Sequence, residues 1–397
     1  MGSCATIALD VRTYFAGKNQ LTHPNVISFE KPWHGYRYYM AYTAYPYADG
    51  SEENPCIAAS NDLLHWEKPD GLINPIACCE ETECDELKDT HLLYREDLDR
   101  LEVWYLGRIR GTWKDRSPLY CFRKVSQDGI HWDKYEVMFR FEGMNLASQT
   151  VLFEDGQYHF WGVQNTTEHI ALHYMNSNDG ISWSAFEKCD VPDAERTNMW
   201  HGTLTRCGDK LYFVWVGNRE KNQDIYAATS YDGIHFSNAQ VIVHNDTGWD
   251  FLYRPALIYD KGQYYCFYGV VRCDGKWMVA LSKGESIECL TGTSFDEVGY
   301  SVDRTAGNTK LRLKVAVKKL MSVFVPRLGV LIVPLMIIAL KSAWLSWLVG
   351  LLVCMTLFYL KFDRKHFIQG GLINGTFYSA VGVFLAQLFL EMLCVLF

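Results

Sequence analysis

Ser126-Gln127-Asp128-Gly129-Ile130-His131-Trp132 is a short motif that the chain writes again at Ser177-Asn178-Asp179-Gly180-Ile181-Ser182-Trp183 and at Ser230-Tyr231-Asp232-Gly233-Ile234-His235-Phe236. An earlier copy, Ser60-Asn61-Asp62-Leu63-Leu64-His65-Trp66, carries Leu where the others carry Gly, and a degenerate fifth begins at Ser282-Lys283-Gly284. Successive serines lie 66, 51, 53 and 52 residues apart. That period fits one four-stranded propeller blade with its loops. The chemistry of the motif is that of a turn. Asp-Gly gives the positive φ of a tight turn, and the Ser and Asp side chains bond its amides. The aromatic that follows packs between neighbouring sheets, so these aspartates are read as turn formers and not as catalysts.

Two strands are predicted upstream of each motif. The first strands are His23-Pro24-Asn25-Val26-Ile27, Asp89-Thr90-His91-Leu92-Leu93, Ser148-Gln149-Thr150-Val151-Leu152, His201-Gly202-Thr203-Leu204-Thr205 and Arg254-Pro255-Ala256-Leu257-Ile258. The second strands are aromatic, as in Tyr38-Tyr39-Met40-Ala41-Tyr42 and Leu211-Tyr212-Phe213-Val214-Trp215. Aromatic and β-branched runs punctuated by Gly turns are all-β sequence. The expectation is an all-β, five-bladed β-propeller over residues 20–300, preceded by an N-terminal segment, 1–19.

The Ser-x-Asp-Gly-Ile-x-Trp turns and aromatic second strands resemble the five-bladed propellers of glycoside hydrolase family 43 and its relatives in families 32, 68 and 130. The resemblance spans roughly residues 20–290. It implies a carbohydrate-active site at the mouth, where the innermost strands begin and where three blades carry carboxylates. It implies Asp before Pro in blade one, Asp in blade three and Glu in blade four. Here those places hold His23, Ser148 and His201, and blade two alone offers an acid, Asp89. Hydrolysis of a glycoside needs one carboxyl to protonate the leaving oxygen and a second to activate water or attack. Displaced candidates are Glu53 in the loop after the second strand of blade one and Asp250 before the inner strand of blade five. Glu168 and Glu220 are the counterparts in blades three and four. Asp89 paired with Glu53 or Asp250 is the expected catalytic set.

The remaining mouth residues suit a sugar. His23, Gln149, His201 and Arg254 offer directional hydrogen bonds, and Trp200 and Tyr253 offer apolar ring faces. His23, His91, His201 and Asp89 near one axis raise the question of Zn or Mn, whose ligands these are. Because they come from different blades, no metal set and no cofactor is assigned. Cys78, Cys79 and Cys84 have neither C-x-x-C spacing nor a nearby His, and are read as free thiols. The basic loop Arg108–Lys114 and Arg254 could meet the phosphate of a nucleotide-linked or lipid-linked sugar.

Charge and hydropathy divide the chain. Residues 309–397 carry a net charge of +8, which leaves about −16 on residues 1–308 from a total of −8. An acidic folded domain excludes nucleic acid as its partner. Residues 301–320 include Lys310-Leu311-Arg312-Leu313-Lys314, a basic and apolar alternation read as an interfacial helix on membrane lipid. Residues 321–397 hold apolar stretches at 323–340, 344–360 and 372–397, read as two or three C-terminal transmembrane helices. Basic clusters at both ends of the first pair put the propeller on the cytoplasmic side, as do the unpaired cysteines and a start without a secretory pattern. Two functions remain open. One is a glycoside hydrolase-like enzyme, a glycosidase or glycosyl-transferring protein, acting on a glycan or sugar-linked intermediate at the cytoplasmic membrane face. The other is a non-catalytic propeller that binds a sugar, or a membrane-protein partner, in membrane polysaccharide metabolism.

Overall fold

In the computed structural model the described residues are 8–14, 19–110, 119–141, 146–165, 170–217, 224–245, 249–272 and 275–293. They form five antiparallel sheets. Blade one contains β2 (Leu21–Trp33), β3 (Tyr36–Ala44) and β4 (Pro55–Ser60). Blade two contains β5 (Cys84–Arg95), β6 (Arg100–Ile109), β7 (Leu119–Ser126) and β8 (Glu136–Phe141). Blade three runs from β9 (Leu146–Glu154) through β10 (Gln157–Asn165) and β11 (Ile170–Ser177) to β12 (Glu187–Lys188). Blade four contains β13 (Met199–Cys207), β14 (Lys210–Gly217), β15 (Ile225–Ser230) and β16 (Gln240–Val243). Blade five contains β17 (Phe251–Asp260), β18 (Gln263–Val271) and β19 (Trp277–Gly284), and its outer strand is β1 (Ala8–Leu9). The first described strand therefore pairs with the last blade. The segment that the sequence set apart as residues 1–19 supplies that outer strand, and Val11 goes on to bridge Trp66 in blade one.

The repeated motif does what its chemistry requires. Ser126 Oγ accepts from Gly129 N at 2.8 Å, while Asp128 Oδ1 accepts from Ile130 N and His131 N, both at 2.8 Å. The same bonds recur around Asp179 and Asp232. Gly129, Gly180 and Gly233 have φ of 73°, 74° and 76°. In blade one, Leu63 adopts φ 69° at the same place and is buried. The following aromatics reach the preceding blade: Trp66 packs on Phe267 of β18, and Trp183 on Trp104 of β6.

Blade one has three strands among the described residues, and its outer edge is closed by side chains. Asn74 accepts from Ile57 N at 3.0 Å and donates to Ile57 O at 2.8 Å, mimicking a neighbouring strand. Glu67 and Ala59 exchange two backbone bonds beside it. Satisfying an edge in this way removes a template for intermolecular pairing.

Around the axis, Thr and Asn side chains on the inner strands stitch each blade to the next. Thr90 Oγ1 donates to His23 O, Asn25 Oδ1 accepts from Leu92 N, Thr150 Oγ1 accepts from Leu204 N, and Thr203 Oγ1 donates to Pro255 O. No helix among the described residues is long and apolar enough to cross a membrane. Residues 301–397, with the expected interfacial and transmembrane helices, lie outside the described residues.

Candidate active site

Every inner strand carries a bulge at the same level. Register breaks at Thr22/Asn25 in β2, Lys88/His91 in β5, opposite Trp161/Val163 in β9, Met199/Gly202 in β13 and Tyr253/Pro255 in β17. A bulge re-aims a side chain out of the alternating pattern. The residues freed by it include His23, Asp89, Ser148, His201 and Arg254. In the first three blades the freed residue takes a left-handed conformation, with φ of 55° at His23, 56° at Asp89 and 52° at Ser148. Left-handed backbone at a non-glycine residue costs on the order of 1 kcal/mol, and such residues concentrate at functional sites.

Asp89, fully buried, is the centre of the group. Its Oδ1 lies 3.5 Å from His23 Nε2, 3.4 Å from His201 Nδ1 and 3.7 Å from Arg254 Nη1. Burial pushes the Asp89 carboxyl up, but His23, His201 and Arg254 outweigh it and hold the group well below the usual carboxylate range. Burial also lowers both imidazoles beneath their ordinary range, so they are neutral at pH 7. On the other side of the His23 ring, Nδ1 lies 3.3 Å from Glu53 Oε1 and 3.0 Å from Thr43 Oγ1. Burial, reinforced by nearby Glu86, raises the Glu53 carboxyl well above its normal value, against the pull of Lys88.

The sequence reading therefore divides. His23, Glu53, Asp89 and His201 come together. Tyr253 is with them, its hydroxyl 2.6 Å from His201 Nε2, and Trp200 stands edge-on to the His201 ring at 4.9 Å. Gln149 and Arg254 are fully buried behind Asp89 and have no surface to offer a sugar. Gln149 donates to the Asp89 and Trp104 carbonyls, and Arg254 Nη2 donates to Gln149 O at 3.2 Å. Both residues support the site from behind. Asp250 is exposed at the foot of β17, outside the buried group. Glu168, Glu220 and residues 111–114 of the basic loop lie outside the described residues. Two neighbours were missed by the sequence reading. Ser148 was noted only as a lost acid, yet its Oγ is 2.5 Å from His201 Nδ1. Glu86, which bridges Lys88 and Arg108 at 2.8 Å each, was hidden by standing three residues before Asp89 in an acidic run.

The donor set suits a divalent cation. One atom from each of His23, Asp89 and His201 lies within 4.8 Å of the others. Ligands about 2.0–2.1 Å from a tetrahedral Zn²⁺ stand about 3.3 Å apart, close to both imidazole–carboxylate distances. His23 Nε2 and both Asp89 oxygens are buried with no hydrogen-bond partner, a costly arrangement unless something else binds there. Contacts on the other ring nitrogens orient both imidazoles: His23 Nδ1 is 3.0 Å from Thr43 Oγ1 and accepts from Asp89 N at 3.4 Å, and His201 Nε2 is 2.6 Å from the Tyr253 hydroxyl. The propeller axis thus removes the objection that these residues stand on different blades. His91 is not part of the set. Its Nε2 donates to Val151 O at 2.9 Å, and burial pushes its pKa down to about 3.

A family-43-type glycosidase needs two carboxyls facing each other across the sugar. Here one carboxylate is locked among two imidazoles and a guanidinium, and the His23 ring stands between it and Glu53. The fold of these glycosidases is present with a different centre.

Comparison with known proteins agrees on the fold. No family model matches the chain. An A type blood N-acetyl-α-D-galactosamine deacetylase from Flavonifractor plautii is 25% identical over 304 residues, covering 62% of this chain and 38% of the relative. The chain thus spans well under half of that relative's length. A solved N-acetylgalactosamine deacetylase from F. plautii, in complex with blood group B trisaccharide, superposes with a TM-score of 0.63 at 20% identity, over 76% of this chain and 99% of that one. A thermostable family-43 glycoside hydrolase gives 0.53 at 13% identity, over 69% and 93%. A family-32 β-fructofuranosidase from Bombyx mori gives 0.51 at 17%, over 70% and 62%. The fold is a five-bladed propeller of the glycoside hydrolase type, and the sequence is similar to a carbohydrate deacetylase.

Proposed function

We propose that this chain is a metal-assisted carbohydrate deacetylase that hydrolyses the N-acetyl group of an N-acetylhexosamine. The observation that carries the reading is the buried His23–Asp89–His201 set, standing where a glycosidase keeps its opposed carboxyls. The similarity to an N-acetylgalactosamine deacetylase supports it independently.

A divalent ion would be held by the His23 and His201 imidazoles and the Asp89 carboxylate, and would supply Lewis acidity for the acetyl carbonyl and acidify water. The chain's own groups do the rest. Asp89 keeps its charge because Arg254 lies behind it, and Tyr253 orients the His201 ring. Glu53, beside the set with a raised pKa, is suited to take a proton from the attacking water and return it to the departing nitrogen. Water adds its oxygen to the acetyl carbon as the C–N bond breaks, giving acetate and the free amine. The sequence of residues 310–397 supports a further part of the reading, a membrane tether that keeps the propeller at the cytoplasmic face, where lipid-linked or nucleotide-linked amino sugars are made.

The test is incubation of the full chain with an α-linked N-acetylgalactosaminide, scoring acetate and aglycone separately, with and without chelator. Acetate release that chelation stops and Zn²⁺ or Mn²⁺ restores is the expected result. Aglycone release without acetate would return the chain to the glycosidases. A protein that binds the glycan and releases neither product is the non-catalytic propeller. Fractionation with membranes, and protection of the propeller's thiols from an impermeant reagent in intact cells, tests the tether and its side.

A further inference from the structure

On the side of the metal-binding set where His201 meets Tyr253, three more rings stand together. Trp277, which opens β19, packs against Tyr45 at 4.9 Å, Tyr253 at 5.1 Å and Phe251 at 6.0 Å. Tyr253 continues the contact inward, to His201 at 4.4 Å and His23 at 5.5 Å. Tyr45, Phe251, Tyr253 and Trp277 are all half-buried. By contrast, Trp104, Trp161 and Trp215 inside the blades are at most 2% exposed. Core packing accounts for those three but leaves the partial exposure of the four unexplained.

The wall straddles the seam between blades five and one, and a single side chain clasps it there. Gln20, 2% exposed, accepts from Tyr45 N through its backbone carbonyl at 3.0 Å. Its Oε1 accepts from both Trp277 N at 3.1 Å and Tyr47 N at 3.0 Å. The buried side-chain amide therefore ties Tyr47 N to Trp277 N while the backbone carbonyl of the same residue holds Tyr45 N, joining segments from opposite ends of the propeller sequence.

We propose that Trp277, with Tyr45 and Tyr253, is the sugar platform of this site, and that Gln20 is its positioning residue. The ligand class is a neutral pyranose that presents a continuous C–H face. Partially positive C–H groups lie favourably on the negative face of an aromatic ring, and a wall of rings leading to a few polar groups fixes ring orientation. A galacto-configured ring, whose axial hydroxyl leaves one face clear, fits such a wall better than a gluco-configured ring. The assignment rests on the deacetylase reading for the chemistry beside the wall, but sugar binding to the wall can be measured without turnover.

The experiment is titration of the full chain with methyl α-N-acetylgalactosaminide, followed by calorimetry and saturation-transfer NMR, alongside deacetylation kinetics. Trp277→Ala is expected to weaken binding about tenfold, as loss of one aromatic contact implies. Trp277→Phe should keep most of the affinity, and Asp89→Asn should keep the sugar contact while losing turnover. In kinetics Trp277→Ala should raise KM and leave kcat nearly unchanged. Gln20→Leu should behave like Trp277→Ala, and Gln20→Glu, which keeps an accepting oxygen at that position, should restore binding. If Gln20→Leu does not fold, Trp277→Ala decides, because a half-exposed ring can be removed without emptying the core. Wild-type affinity in folded Trp277→Ala overturns the platform even if acetate is released. Lost affinity in Trp277→Ala, with no acetate from the wild type, upholds the platform and removes the deacetylase reading.

Discussion

The outer turns and the axial bulges of this propeller both drive the backbone to positive φ, and they do so with opposite kinds of residue. At the rim, Gly129, Gly180 and Gly233 adopt φ between 73° and 76°, where a missing side chain makes the conformation nearly free of strain. At the axis, His23, Asp89 and Ser148 adopt φ between 52° and 56° and keep side chains that share one buried group. The rim repeats because each turn solves the same local problem. The axis differs from blade to blade because each position contributes a different atom to one site. Strain is removed where the fold needs a turn, and retained where chemistry needs a side chain.

The sharpest way to break this contrast is at Asp89. Asp89→Asn removes the charge that two imidazoles and Arg254 surround, and acetate release should fall on the order of 10³-fold, the scale of several kcal/mol of metal-supplied stabilisation. Metal content of the purified variant, measured by mass spectrometry, should fall with it, while circular dichroism keeps the β-sheet signature. Tyr253→Phe deletes only the hydroxyl that fixes His201, and should lower metal affinity about 10–100-fold, the usual effect of a partner behind a ligand. Titration with Zn²⁺ in competition with a chelator would read it, and unchanged affinity would take Tyr253 out of that role.

The rim and axis should then differ in what a substitution at positive φ does to stability. A Cβ at Gly233 would meet the Trp161 ring at 2.7 Å at φ 76°, so Gly233→Ala should cost about 1–3 kcal/mol in chemical denaturation. Ser148→Gly relieves a left-handed residue while losing one hydrogen bond to His201, terms of about 1 kcal/mol each, so stability should hardly move although turnover falls. A large loss of stability in Ser148→Gly would mean that the bulge is part of the fold and not of the site.

The smallest effect is an acid titration. The Ile181 and Ser182 amides lower the pKa of Asp179 to about 2. A depressed carboxyl contributes stability that is fully present above its unfolded value of about 4 and is lost as pH falls through the folded value of about 2. Asp179→Asn should lose that contribution at neutral pH and flatten the profile between the two values, so that variant and wild type converge at the acid end, as melting curves across this range would register.

How much of this was legible in the sequence follows from the same contrast. The blades were, because a turn in which Ser and Asp side chains bond amides two or three residues away is written within seven consecutive positions. The aromatics at Trp66 and Trp183 could be expected between sheets, although which sheet each reaches depends on ring closure. The site was half legible. Aligning the repeats against one another pointed to His23, Asp89, Ser148 and His201, but alignment could not tell a mouth residue from one sealed behind it. Gln149 and Arg254 read as polar groups for a sugar and turn out to be buried support. Tyr45 and Trp277 carry no local signal at all, since only the closure of blade five on blade one makes them neighbours.

Five blades, turns held by local hydrogen bonds, and the loss of a glycosidase's acids from their usual places are all written in the order of residues. What stands in place of those acids follows from the closure of the ring. His23, Asp89 and His201 come from three blades, and the bulges aim them at one axis. The groups around Asp89 then keep it charged against its burial, and burial keeps the imidazoles neutral, because desolvation and the nearness of Arg254 are properties of the closed ring and of no segment within it.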